Sequence, residues 1–174
     1  MFNISKRKKR YILSYVFLFV AFILQTTLIQ NLKIFNVAPS LLLVTVVCFS
    51  LINDIVPSAV FAVVAGFLLD ISAGRVIGLN ALLMMYLSFA VVVAGQDLFR
   101  ETSRSAAFLI MICTVIFETV FAFFNFAIFS KPSVWYTILR VVLVEAVYNG
   151  IVAIPIYLLF CRFLRIRTGH SLFD

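Results

Sequence analysis

Residues 6–30 read KRKKRYILSYVFLFVAFILQTTLIQ. Five cationic side chains, Lys6 to Arg10, give way at once to a run from Tyr11 to Gln30 with no charged residue. A helix that crosses the hydrocarbon core of a bilayer takes about 20 residues, and the run has that length. A basic stretch ahead of an apolar run can also be a secretory signal, but no small-residue cleavage pattern follows. A retained first helix is therefore expected. The same alternation of apolar block and very short polar gap continues along the chain. It predicts an all-α, polytopic membrane helix bundle of about six transmembrane helices.

Composition agrees. The chain of 174 residues is 64% hydrophobic and only 12% charged. Soluble proteins carry about a quarter of their residues as Asp, Glu, Lys or Arg, so too few charges are present for a water-facing shell. Six spans would leave two tails and five short connections, none able to bury a core of its own. One transmembrane domain over 1–174 is expected, with basic tails at 1–10 and 162–174. The net charge of +7 lies mostly at the two ends. That is the distribution of a topology signal and not of a nucleic-acid surface, so membrane lipid is expected as a partner and nucleic acid is not.

The helices can be placed from punctuation. Asn31 to Ala38 form a loop, and Pro39 suits the start of a second helix running to about Ile52. Asn53 to Pro57 have the composition of a tight turn. A third, short helix is expected from about Pro57 to Asp70. The second and third read as a hairpin that either spans fully or dips in and returns. A loop at 71–77 precedes a fourth helix from about Gly78 to Gly95. Residues 96–104 are the most charged connection. A fifth helix covers about Ser105 to Phe129, and a sixth about Ile138 to Phe160, with Trp135 and Tyr136 as interface anchors. With the N-terminus inside, the inner side collects the basic N-tail, Arg100, Arg104, Arg162, Arg165 and Arg167. The outer side collects Lys33, Arg75, Lys131 and Arg140. This imbalance predicts both termini in the cytoplasm.

Polar side chains are costly against lipid, so their angular positions mark the interior. At 3.6 residues per turn, Ser14, Ala21 and Gln25 share a face of the first helix. Ala59, Ala62, Gly66 and Asp70 form a stripe on the third; small residues four apart allow close helix contact. Asn80, Met84, Ser88 and Gly95 align on the fourth, Thr114, Glu118 and Asn125 on the fifth, and Glu145 and Asn149 on the sixth. Glu118 and Glu145 lie deep in apolar runs, where a carboxyl is expected to be buried and paired or protonated. A proton relay, a site for a cationic ligand and an interhelical hydrogen bond, with Asn125 or Asn149 as partner, are all compatible with that placement.

No catalytic constellation accompanies these carboxyls. The only histidine, His170, is in the C-terminal tail, and Cys48, Cys113 and Cys161 lack metal-ligand spacing. No nucleophile motif or phosphate-binding loop is present. A non-enzymatic protein without metal or cofactor is expected.

Residues 66–82, GFLLDISAGRVIGLNAL, carry a more specific pattern. Gly66 is followed by Asp70 four residues on, then by Gly74 and Gly78 at four-residue steps, then by Leu79-Asn80-Ala81-Leu82. This resembles the signature of the rod shape-determining membrane protein MreD family. Length, the basic N-tail, Pro39, and Asn149 followed by Pro155 agree in outline. After the helix-opening proline the family often has an acidic or amide residue, and here Ser40 stands. The resemblance implies a non-enzymatic component of the bacterial cell-elongation machinery, in the cytoplasmic membrane. Its implied partners are MreC, the glycosyltransferase RodA with its transpeptidase, and MreB. It also implies a six-helix architecture similar to the substrate-binding subunits of energy-coupling-factor transporters, and hence an alternative role as a small-molecule-binding transporter subunit. That role expects alanines four apart on an early helix, and the first helix has none. The candidate binding set is Gly66, Asp70, Gly74, Gly78, Asn80, Glu118, Glu145 and Asn149. Within it, Asp70 is expected to find its partners at the start of the fourth helix and at Asn80.

Overall fold

A computed structural model describes residues 2–27, 39–73, 77–95, 103–129 and 135–163. All the secondary structure in these segments is helical. The helices are α1 (Phe2–Thr27), α2 (Leu41–Ser50), α3 (Ile55–Ala73), α4 (Leu79–Ala90), α5 (Ser103–Phe129) and α6 (Trp135–Phe163). A π-helical turn, Val91–Gly95, continues α4. Four segments are long and apolar enough to cross a bilayer: Arg10–Thr27, Ile55–Ser72, Arg104–Phe124 and Val142–Arg162. The shorter Leu41–Ser50 and Leu79–Gly95 bring the candidates to six. The protein is thus an all-α, polytopic membrane helix bundle.

The second helix occupies the centre. Every residue from Leu41 to Ser50 is buried, which is what a helix apolar on all sides requires. Ten residues of α-helix rise about 15 Å, against a hydrocarbon core of about 30 Å. Alone, α2 covers about half that thickness. Packed around it are α1, α3, α4, α5 and α6. Phe49 stacks on Phe61 of α3 with centroids 4.1 Å apart, and Phe160 of α6 meets Phe49 and Phe17 edge-on. The other helices turn Ile, Val, Leu and Phe outward along their lengths, as lipid contact demands.

Four boundaries differ from the sequence reading. The first helix begins at Phe2, so the basic stretch Lys6 to Arg10 is helical and is not a tail ahead of the helix. Pro39 precedes α2 and does not open it; Ser40 is the N-cap. The third helix is not short: it begins at Ile55 and continues to Ala73, beyond Asp70. Asp70 therefore lies within the last turn and not at the end. The sixth helix begins at Trp135, so Trp135 and Tyr136 belong to it and do not precede it. Turn-forming residues and prolines mark where helices can stop. They fix a helix end only to within a few residues; the added flanks of α3, Ile55, Val56 and Ile71, are exposed apolar side chains that lipid accepts as readily as the rest of a span.

Most of the expected interior positions are buried; Gln25, Ala59 and Glu118 are only half-buried, and the side chain of Asn125 lies outside the described residues. Ser14, Ala21, Ala62, Gly66, Asp70, Asn80, Met84, Ser88, Gly95, Thr114, Glu145 and Asn149 are all buried. Cys48, Cys113 and Cys161 are free thiols, each buried among apolar side chains.

Candidate functional site

Two polar constellations stand out inside the bundle. The first joins α3 to α4. Gly66 lies against the backbone of α4 so closely that a Cβ placed there would sit 2.2 Å from Ala81 Cα and 2.7 Å from Asn80 C. One turn further along α3, the Asp70 carboxylate reaches the first turn of α4. Its Oδ2 accepts from the backbone N–H of Gly78 at 2.8 Å and of Ala81 at 3.3 Å. Its Oδ1 accepts from the Asn80 N–H at 3.2 Å and from Asn80 Nδ2 at 2.9 Å. Gly78 is the N-cap of α4, at φ 99°, and offers no side chain of its own to cap the helix.

The signature thus has a physical reading. The first N–H groups of a helix lack intrahelical acceptors and carry partial positive charge. A neighbouring helix supplies the missing acceptor with a full negative charge, a stronger arrangement than a neutral cap. For Asp70 to reach, α3 and α4 must nearly touch, which needs glycine at 66 and alanine at 81. The chain must also reverse tightly, which needs a left-handed residue at 78. The helix-dipole penalty expected for Asp70 near the end of α3 is offset by the favourable start of α4. Gly74 lies outside the described residues.

The second constellation closes the bundle around α2. Asn149 of α6 accepts the Ser40 N–H through Oδ1 at 2.8 Å and donates from Nδ2 to Thr114 Oγ1 of α5 at 3.1 Å. Thr114 Oγ1 donates in turn to the Ile110 carbonyl at 2.8 Å. Gln25 of α1 accepts the Leu42 N–H at 3.0 Å. Side chains from α1 and α6 therefore cap α2 at its buried N-terminus. Because Asn149 binds the backbone at residue 40, Ser40 needs no acidic or amide side chain. Glu118 and Glu145 occupy the next turn of the same faces of α5 and α6; Glu145 is buried and Glu118 half-buried. Asn149 is committed to Ser40 and Thr114, and the side chain of Asn125 lies outside the described residues.

Some contributors were not in the candidate set. Gln25 and Thr114 were placed on interior faces, but nothing local marks them as cap and bridge. Gly150 lies within 2.6 Å of Met111 Cγ once a Cβ is added, so it sets the α5–α6 approach. Its sequence signal was only a small residue beside Asn149. Ser50 and Ser88 share a hydroxyl–hydroxyl hydrogen bond of 2.8 Å between α2 and α4.

Among the described residues no group of three His, Cys, Asp or Glu could hold a metal ion. The two constellations do structural work, cap to carboxylate and amide to hydroxyl, and define a membrane bundle organised by interhelical polar clamps. Residues 5–167 match the family of the rod shape-determining protein MreD. The chain belongs to that family. It is accordingly a non-enzymatic membrane protein of cell-shape determination, functionally associated with MreC-type partners. The chain matches no curated protein and no solved structure, so a likeness to energy-coupling-factor subunits gains no support.

Proposed function

We propose that this chain acts by assembly in the bacterial cytoplasmic membrane, holding MreC to the wall-synthesis enzymes of lateral growth. RodA, its transpeptidase and MreB complete the proposed machinery. The observation that carries this reading is the internal commitment of Gly66, Asp70, Gly78 and Asn80, the described residues of the family signature. The Asp70 carboxylate takes four donors from α4 and Gly66 meets backbone. What the signature builds is a rigid α3–α4 hairpin. That hairpin presents Phe67, Leu82, Tyr86 and Phe89 outward, a surface suited to a single-span partner helix. Gly78 and Asn80 hold that hairpin; Glu118, Glu145 and Asn149 lie on α5 and α6 and are not part of that surface.

The test is recovery of MreC from native membranes. Phe67→Gln and Phe89→Gln together are expected to reduce co-purified MreC about tenfold while membrane levels of the protein stay normal. Undiminished recovery, or turnover of a lipid-linked or peptide substrate by the purified protein alone, sinks the proposal. Orientation is checked separately. The native cysteines are buried, so a single cysteine added at either end of the chain reports its own exposure. Both are expected to resist an impermeant thiol reagent in intact cells and to react after permeabilisation. Labelling of either from outside overturns the cytoplasmic placement of the termini.

A further inference from the structure

At the end of α2 opposite its capped N-terminus, α1 and the turn between α2 and α3 enclose a small polar cleft. Arg10, Tyr11, Ile52, Asn53 and Asp54 line it, and its volume is about 150 Å³. The floor is firmly held. The Phe49 carbonyl accepts from the backbone N–H of Ile52 at 3.2 Å, from that of Asn53 at 3.1 Å and from Asn53 Nδ2 at 2.9 Å. The Tyr11 ring lies 6.4 Å from that of Phe49, so the wall from α1 rests on the same residue. Two charges of opposite sign stand on this frame, Arg10 on α1 and Asp54 in the turn.

The depth of the cleft follows from the spans. One candidate span begins at Arg10 and another at Ile55, the residue after Asp54. The cleft therefore lies where two spans leave the hydrocarbon core, in the layer of lipid headgroups. Tyrosine, here Tyr11, is a residue that layer favours. A volume of about 150 Å³ is that of about five liquid waters, room for a small headgroup and not for a helix of a partner. The two charges select among headgroups. A phosphate, which every phospholipid offers, pairs with the guanidinium of Arg10. Asp54 disfavours a headgroup that is only negative and calls for a cation with N–H groups to donate. A carboxylate accepts at about four lone-pair positions, so Asp54 can take an ammonium beside its contacts within the chain. On their outward faces α1 and α3 carry Ile12, Val16, Val56 and Val60, apolar surface for the lipid chains.

We propose that this cleft binds the headgroup of a zwitterionic phospholipid with a primary ammonium, of the phosphatidylethanolamine class. The lipid phosphate pairs with Arg10, and the ammonium donates to the Asp54 carboxylate. The site is independent of the assembly reading, since neither the surface proposed for MreC nor the α3–α4 clamp contributes a residue to it.

The experiment uses the full-length protein in nanodiscs of equal parts phosphatidylethanolamine, phosphatidylcholine and phosphatidylglycerol with identical acyl chains. Native mass spectrometry after collisional release counts the lipids that each protein molecule retains. Phosphatidylethanolamine is expected to be retained about tenfold over phosphatidylcholine, the worth of one charge-assisted hydrogen bond. The trimethylammonium of phosphatidylcholine has no N–H to donate. Asp54→Asn should reduce that preference to about twofold or less, while phosphatidylglycerol is retained as before or better. Asp54→Glu keeps the charge and should keep the preference. Arg10→Gln should lower both zwitterionic lipids alike, by about tenfold. Arg10 is half-buried and Asp54 exposed, and the Tm of each variant verifies that it is folded. Equal retention of the two zwitterionic lipids by the unaltered protein would overturn the site. So would a preference that survives Asp54→Asn, or retention that Arg10→Gln leaves unchanged. A parallel fall of phosphatidylglycerol in Asp54→Asn would mark the carboxylate as structural and overturn it too.

Discussion

Gly66→Ala is expected to lower the stability of the folded protein by about 3 kcal/mol, the upper end of the range for overpacking a tight interior. The added methyl would lie 2.2 Å from Ala81 Cα and 2.5 Å from its nitrogen. Both are backbone atoms of a helix and cannot rotate aside, so α3 and α4 must separate. Separation also draws Asp70 away from the start of α4, and the two losses compound. Gly78→Ala faces open space and only its left-handed φ, which costs about 1 kcal/mol. At Gly95 the nearest atom is the end of the Leu109 side chain, 3.0 Å away; that end can shift, so Gly95→Ala costs about 1 kcal/mol or less. Thermal challenge followed by size-exclusion chromatography of detergent-solubilised protein should give the order 66, then 78, then 95. A Gly66→Ala protein as heat-resistant as Gly95→Ala would show that the helices are not in backbone contact.

Asp70→Ala is the second large effect. The side chain is 1% exposed, and its removal leaves four donors of Gly78, Asn80 and Ala81 without their acceptor. Leaving buried donors unsatisfied costs about 1–3 kcal/mol each before relaxation. Some of these groups can find water or shift, and a net loss of about 3 kcal/mol is expected. Asp70→Asn keeps one oxygen but turns an NH₂ toward two backbone N–H groups, so it should fall between Ala and the unaltered protein. Asp54 provides the control. It lies exposed in the turn before α3, where its carbonyl accepts the Ser58 N–H, a contact that Asp54→Ala retains. Side-chain contacts of an exposed carboxylate are worth about 0–1 kcal/mol, so this change is expected to cost about 1 kcal/mol or less. Both variants should be compared for heat resistance and for MreC recovery. If Asp70→Ala loses MreC while remaining as heat-resistant as Asp54→Ala, the carboxylate serves the partner directly and the clamp reading is wrong.

Much of this was legible in the sequence for one physical reason. A bilayer interior tolerates neither charge nor unpaired backbone, so every span must be an apolar helix and every polar side chain on it must face inward. The stripes through Gly66 and Asp70, through Asn80 and Ser88, and through Glu145 and Asn149 follow from that rule and a period of 3.6. The meeting of Asp70 with Asn80 and the N–H groups of α4 was also within reach, because a carboxylate near the wrong end of one helix calls for the right end of another.

Sequence alone determined the class of fold, most of the interior face of five helices and the residues of the α3–α4 clamp, all of which depend on local spacing and on the cost of polar groups in lipid. Only the tertiary structure decided that α2 is a wholly buried central helix and that Asn149 and Gln25 cap it from distant helices. Those facts depend on which helices lie side by side. An amide such as Asn149 reads the same in sequence whether it faces a serine backbone, a carboxyl or a ligand, and packing among six mutually apolar helices is what chooses.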